Sequence, residues 1–78
     1  MDGILDVNYV LSQHAADVMR EREIKREWLE AALAAPALRQ PHETDPALSY
    51  ALLSIAERDG RVLRVVYNHT IEPWKVVT

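Results

Sequence analysis

The sequence predicts an α+β fold: two N-terminal helices packed on a three- to four-stranded antiparallel β-meander. Three observations carry this. Apolar residues recur at three- and four-residue spacing between residues 12 and 35, Pro36 stops that pattern, and alternating apolar runs then flank Asp59-Gly60. At 78 residues the chain is expected to be one domain, 1–78. A chain of that size buries only about 60–65% of the surface its unfolded form exposes, so the core is thin. There is no cysteine, so neither disulfides nor thiolate–metal sites can reinforce it.

Taken in order, residues 4–11 (ILDVNYVL) are apolar but short, and read as an edge strand or a docked arm. Ser12 reads as a helix N-cap, because its hydroxyl oxygen can accept an N–H of the first turn. Ala15, Val18, Met19 and Arg22 then share one helical face, with Asp17, Arg20, Glu21 and Glu23 mostly opposite. Ile24 fills the corner before a second helix, from about Arg26, whose stripe is Trp28, Leu29, Ala32 and Leu33. Glu27 and Glu30 sit near its positive N-terminal end. Pro36 ends it by biasing the preceding residue away from helical angles.

Residues 37–46 read as an extended link or short strand followed by a polar loop. Residues 48–57 are strand-like, but their apolar positions switch from Leu48, Tyr50 and Leu52 to Leu53 and Ile55. That switch predicts a bulge or a strand covered on both faces. Asp59-Gly60 is a strong hairpin signal. Residues 62–68 follow, with Leu63, Val65 and Tyr67 on one face and Val62, Arg64 and Val66 on the other. After a turn at 68–73, residues 74–78 form the last strand, expected to be exposed along its edge.

The charges, 9 basic against 12 acidic, give a net −3, which argues against non-specific nucleic-acid binding. Residues 1–11 carry two acids and no base, unlike a signal peptide. No apolar run approaches the roughly 20 residues that span a bilayer. The expectation is a cytoplasmic protein with no membrane association, no cofactor and no metal.

The run His14-Ala15-x-x-x-Met19-x-Glu21-Arg22-x-Ile24, followed by Leu29, Leu33 and Pro36, resembles the bacterial domain-of-unknown-function family numbered 4258. Members open with His-Ala-x-x-Arg-Met-x-Glu-Arg-Gly-Ile and end in a Val-Thr strand, matched here by Leu63-Arg64-Val65-Val66-Tyr67 and Val76-Val77-Thr78. The sequence departs from that pattern at Val18, where the family has arginine, at Glu23, where it has glycine, and at Lys25, where it has a Ser or Thr cap. Glu23 implies an inter-helix corner built without a left-handed glycine. The order of elements is similar to that of RelE/ParE-like toxins, and more closely to BrnT-like toxins, which cut mRNA.

The candidate catalytic residues are His14, Arg22, Tyr67 and His69. His14 would act as general acid or base on an RNA 2′-hydroxyl and Arg22 would steady the phosphate. Against this, His14 in a first turn can simply bond locally, Arg22 can pair with a carboxylate, and Tyr67 fits the core beside Leu63 and Val65. Arg61, Arg64 and Lys75 are candidate binding residues, although the two-residue period puts Arg64 and Tyr67 on opposite faces. His42, Glu43 and Asp45 lack the spacing of a metal site, and Asn68-His69-Thr70 matches a glycosylation pattern by chance. Arg20, Arg22, Lys25 and Arg26 are interleaved with Glu21, Glu23 and Glu27, which makes a solvated helix surface the default.

These features predict an interaction component, or a toxin-like one, of a toxin–antitoxin-type module with an antitoxin-like protein partner. Two alternatives stand beside it. One is a metal-independent endoribonuclease acting on mRNA, for which RNA binding is not supported by the net charge. The other is a non-catalytic homodimer pairing through residues 74–78.

Overall fold

The structure, a computed structural model, describes residues 8–78. The elements are β1 (Tyr9–Leu11), α1 (Gln13–Glu21), α2 (Arg26–Ala34), β2 (Leu38–Pro41), β3 (Leu48–Ile55), a 3-10 turn (Ala56–Arg58), β4 (Arg61–Asn68) and β5 (Trp74–Val76). The expected α+β class is observed, with both helices on one face of the sheet. The expected N-terminal strand is present at Tyr9–Leu11, and its part at residues 4–7 lies outside the described residues.

The sheet differs from the expected meander. It has five strands in the order β1-β5-β4-β3-β2, and it is mixed. β3 pairs antiparallel with β2 and β4, and β4 with β5, but β1 runs parallel to β5 in the register Tyr9↔Trp74 to Leu11↔Val76. Parallel neighbours need a long crossover, supplied here by everything between residues 12 and 73. The last strand is therefore interior, and the expectation that it exposes an edge is corrected: β1 covers it. Its regular pairing ends at Val76. Val77 and Thr78 both donate to the Val66 carbonyl, at 2.8 and 3.2 Å, and the Val66 N–H donates to Thr78 at 2.9 Å. Two residues facing one is a β-bulge.

Ser12 joins three elements. Its Oγ accepts the Ala15 N–H at 3.0 Å, as the N-cap reading predicts, its hydroxyl donates to the Val77 carbonyl at 3.3 Å, and its N–H donates to Val76 at 2.9 Å. At the other end of α1, Ile24 N–H reaches Met19 O at 2.8 Å and Glu23 N–H reaches Arg20 O at 3.3 Å. This pair of bonds is a Schellman closure, which needs a left-handed residue. Glu23 supplies it at φ 55°. The corner is thus built without glycine, as expected from Glu23, and keeps the left-handed geometry. Lys25 caps α2 with extended backbone angles but no side-chain bond, and its ammonium lies 5.5 Å from the Trp28 ring centre.

The core is one cluster: Ala15 from α1, Leu29, Ala32 and Leu33 from α2, and Ala51, Val65, Tyr67 and Val76 from the sheet. Each buried Leu or Val contributes about 1.5–3 kcal/mol relative to exposure. β3 keeps an unbroken register with β4 from Leu48↔Asn68 to Ile55↔Arg61, so there is no bulge in it. The sheet's helix face takes Ala51, Leu53 and Ile55. Its far face carries Leu48, Tyr50 and Leu52 half-exposed, with no helix over them. The strand ends at Ile55 instead of Glu57, where the 3-10 turn begins. Asp59 (φ 56°) and Gly60 (φ 76°) then turn the chain as the hairpin signal predicts.

Tyr9 ties β1 to α2. Its hydroxyl donates to Glu30 Oε2 at 2.7 Å and accepts from Arg26 Nη1 at 3.0 Å.

Two stability measurements test these joints. Ser12→Ala removes the cap and the bond to Val77, and is expected to lower the unfolding free energy by about 1–2 kcal/mol in urea denaturation. Glu23→Gly relieves the left-handed backbone while loosening the unfolded chain, and is expected to raise the urea midpoint by the equivalent of about 0.5 kcal/mol.

Candidate functional site

A groove arises because α1 only half reaches the sheet. Of its residues Ala15 alone is buried; Val18 and Met19 are half-buried. The helical face read from the sequence as Ala15, Val18, Met19 and Arg22 forms one wall of a groove of about 280 Å³. Trp28, Leu29 and Ile24 close the α2 side, and Leu63 and Val65 of β4 form the floor, with Thr78 at the end.

Four arginines border this groove: Arg22, Arg58 and Arg61, and also Arg64, whose guanidinium is turned to the far face of the sheet. No carboxylate side chain is among its lining residues. The acids that adjoin these arginines in sequence, Glu21, Glu23, Glu57 and Asp59, are exposed elsewhere. The ion pair found among the described residues, Arg20 Nη2 to Asp17 Oδ1 at 2.7 Å, lies on the outer face of α1. There Gln13 and then Arg20, both bonding to Asp17, hold its carboxyl below the ordinary range.

Local chemistry fixes two of the arginines. Arg58, in the 3-10 turn, donates to the carbonyls of Arg22 and Glu23 at 2.8 and 2.9 Å, satisfying carbonyls left free at the end of α1. Its guanidinium also lies 5.4 Å from the Trp28 ring centre. Arg64 stacks on Tyr50, 4.6 Å from the ring centre, across the far face of the sheet. Such cation–π contacts contribute about 0.5–1 kcal/mol at exposed sites. Trp28 itself is 8% exposed and its indole Nε1–H finds no acceptor, the one such buried side-chain atom among the described residues.

The sequence-derived residues divide accordingly. Arg22 and Arg61 come together at the groove, and Arg64 borders it with its guanidinium on the far face of the sheet. His14 does not line it: exposed in the first turn of α1, it stands eight residues from Arg22, about 12 Å along the helix axis. Tyr67 is 1% exposed and stacks on Trp74 with ring centres 4.9 Å apart. His69 is exposed, its ring centre 6.3 Å from that of Tyr67. Neither lines the groove, and Lys75 is exposed on the opposite sheet face, beside Val10 and Asn68.

The polar loop has turn-closing work to do. His42 Nδ1 accepts N–H groups of Thr44 and Asp45, each at 3.2 Å, and Asp45 Oδ1 accepts that of Ala47 at 3.0 Å. Asn68 Oδ1 likewise accepts from the Thr70 backbone and hydroxyl. Among the described residues no group of three His, Asp or Glu side chains could hold a metal ion, and no helix is long and apolar enough to cross a membrane.

Sequence reasoning missed Arg58 and Trp28 as parts of a site. Arg58 reaches α1 across 36 residues of chain, and nothing local marks it. Trp28 was legible as core, and its polar edge shows only once its neighbours are in place.

The sequence model of a family described as Domain of unknown function (DUF4258) matches residues 11–78. No curated protein and no solved structure matches.

Burial raises the Tyr67 phenol above its ordinary 10.0. Burial, and next the bond to Glu30, do the same for Tyr9. A raised acid favours the protonated form in the folded state. Its stabilisation is therefore complete below the unfolded value and is lost as pH rises through the folded one. Unfolding free energy is expected to hold steady near about pH 9 and to fall above about pH 10, less steeply in a Tyr9→Phe/Tyr67→Phe double variant. Equal slopes in both proteins would refute the assignment.

Proposed function

The chain belongs to this family of unknown function, and we propose that it is a protein-interaction module that grips an acidic segment of a partner in the arginine-lined groove. The observation that carries the reading is the composition of the lining: the arginines Arg22, Arg58 and Arg61, an apolar floor and no carboxylate side chain. Arginine's planar fork suits carboxylates in paired geometry, and an apolar wall beside it strengthens such pairing by excluding water. The net charge of −3 would repel an acidic partner everywhere else, which confines recognition to this face.

The toxin-like reading takes a definite form here. In a two-gene cytoplasmic module, the partner would be a small antitoxin-like protein with an acidic tail or arm seated in the groove. The endoribonuclease reading draws on the same arginines as phosphate ligands. It lacks a general base beside them, because His14, His69 and Tyr67 all lie outside the lining. The homodimer through residues 74–78 has lost its exposed edge to β1.

Titration calorimetry with N-acetyl hexaglutamate and with hexauridylate separates these readings. Hexaglutamate is expected to bind, more weakly as salt shortens the screening length below about 10 Å. Arg22→Ala and Arg61→Ala are expected to weaken it by about threefold each, the scale of a solvent-accessible ion pair. Binding and cleavage of the uridylate, abolished by His14→Ala, would overturn the proposal in favour of the nuclease.

A further inference from the structure

Trp28 carries a donor that the fold leaves unused. The side chain is 8% exposed, and its Nε1–H has no acceptor among the described residues. It stands outside the core cluster of Ala15, Leu29, Ala32, Leu33 and the buried sheet residues. Its ring is wall instead, lining the groove together with Arg22, Ile24 and Arg58. The cations of this wall are of two kinds. Arg58, 5.4 Å from the ring centre, is committed to the carbonyls of Arg22 and Glu23. Arg22 and Arg61 hold no ion pair among the described residues. Thr78 bonds to Val66, and Arg61 lies five residues further along β4, about 16 Å away. The unused donor and these cations therefore gather at the hairpin end of the groove.

We infer that Trp28 is a ligand-binding residue: its indole N–H donates to one oxygen of a carboxylate in the bound segment, and Arg22 and Arg61 take that carboxylate's remaining lone pairs. This rests on the acidic-segment reading above and names the group that recognises the acid. A neutral N–H bonds an ionised oxygen more strongly than a neutral one, and a buried donor without an acceptor has the most to gain from pairing. A carboxylate has about four lone-pair positions, so a single acid suffices for one indole and two guanidinium forks. The rest of the lining includes Met19, Ile24 and Leu63, all apolar. The segment is thus one acid between bulky apolar residues. In a run of acids the neighbouring charges would be desolvated against that lining without partners. The same apolar surround favours a peptide over a nucleic-acid strand, in which each phosphate is followed by a sugar and another phosphate.

The test is NMR on the whole 78-residue chain, whose two tryptophans give two indole N–H resonances. The tripeptide leucine-glutamate-leucine, acetylated and amidated so that it holds one carboxylate, is added to millimolar concentration. It is expected to move the Trp28 indole proton downfield and to leave that of Trp74 in place. The same peptide with glutamine for glutamate is expected to bind about tenfold more weakly, because the acceptor has lost its charge. Trp28→Phe keeps an aromatic wall without the donor, and is expected to weaken binding of the glutamate peptide about tenfold with circular dichroism unchanged. Binding that Arg22→Ala weakens, but that leaves the Trp28 indole proton unmoved, would overturn the role of Trp28 and leave the acidic-segment reading standing. Equal binding of the two peptides, or binding of neither, would overturn both. So would movement of the Trp28 indole resonance by hexauridylate at lower concentration than by peptide.

Discussion

Ser12 stands where β1, α1 and β5 meet, and its four hydrogen bonds hold those elements at one point. The hydroxyl both starts the helix and reaches the carbonyl of Val77, 65 residues away. Because the helix begins directly where β1 lies against β5, α1 leaves the sheet at a fixed angle. Its apolar face then bears on the sheet near Ala15 and stands off it near Met19 and Arg22. The wedge left between them is the groove. Moving the cap by one residue would rotate α1 by about 100° and take Val18, Met19 and Arg22 off the wall.

Much of this architecture is legible in the sequence, and the exceptions share a cause. The helical faces, the stop at Pro36, the turn at Asp59-Gly60 and the opposed faces of Arg64 and Tyr67 follow from periodicities of 3.6 and 2 that neighbouring residues impose on one another. The parallel pairing of Tyr9–Leu11 with Trp74–Val76 is of another kind. Three residues carry no period, and their partner is chosen by the packing of everything between them. Glu23 shows the same override. A glutamate prefers a right-handed backbone, but the Schellman bonds and the Arg58 guanidinium hold the corner left-handed. Among the candidate residues, the sequence marked three of the four groove arginines. It did not gather them, because Arg22 and Arg61 are brought together by a helix–sheet contact with no local signature.

The division of labour inside the groove follows from that geometry. Arg58 is committed to α1 carbonyls and so anchors the hairpin loop to the helix corner. Arg64 lies over Tyr50 on the far face of the sheet. The position of Arg58 costs less to fix on binding than that of a free side chain, since part of the rotamer freedom is already lost. Trp28, placed between the Lys25 and Arg58 cations, makes the inner wall both apolar and electropositive. On the far face of the sheet Leu38, Leu52 and Val62 lie beside the Arg64–Tyr50 pair.

The β1–β5 seam has a mechanical meaning as well. Its two strands are the first and last of the described chain, and they run parallel. A force that pulls the two ends apart therefore drags these strands past each other along their length. The bonds from Trp74 to Asn8 and from Ser12 to Val76 are loaded together, whereas a hairpin pulled from its open end unzips one bond at a time. A seam of three paired residues is thus loaded in shear, its flanking bonds sharing the pull.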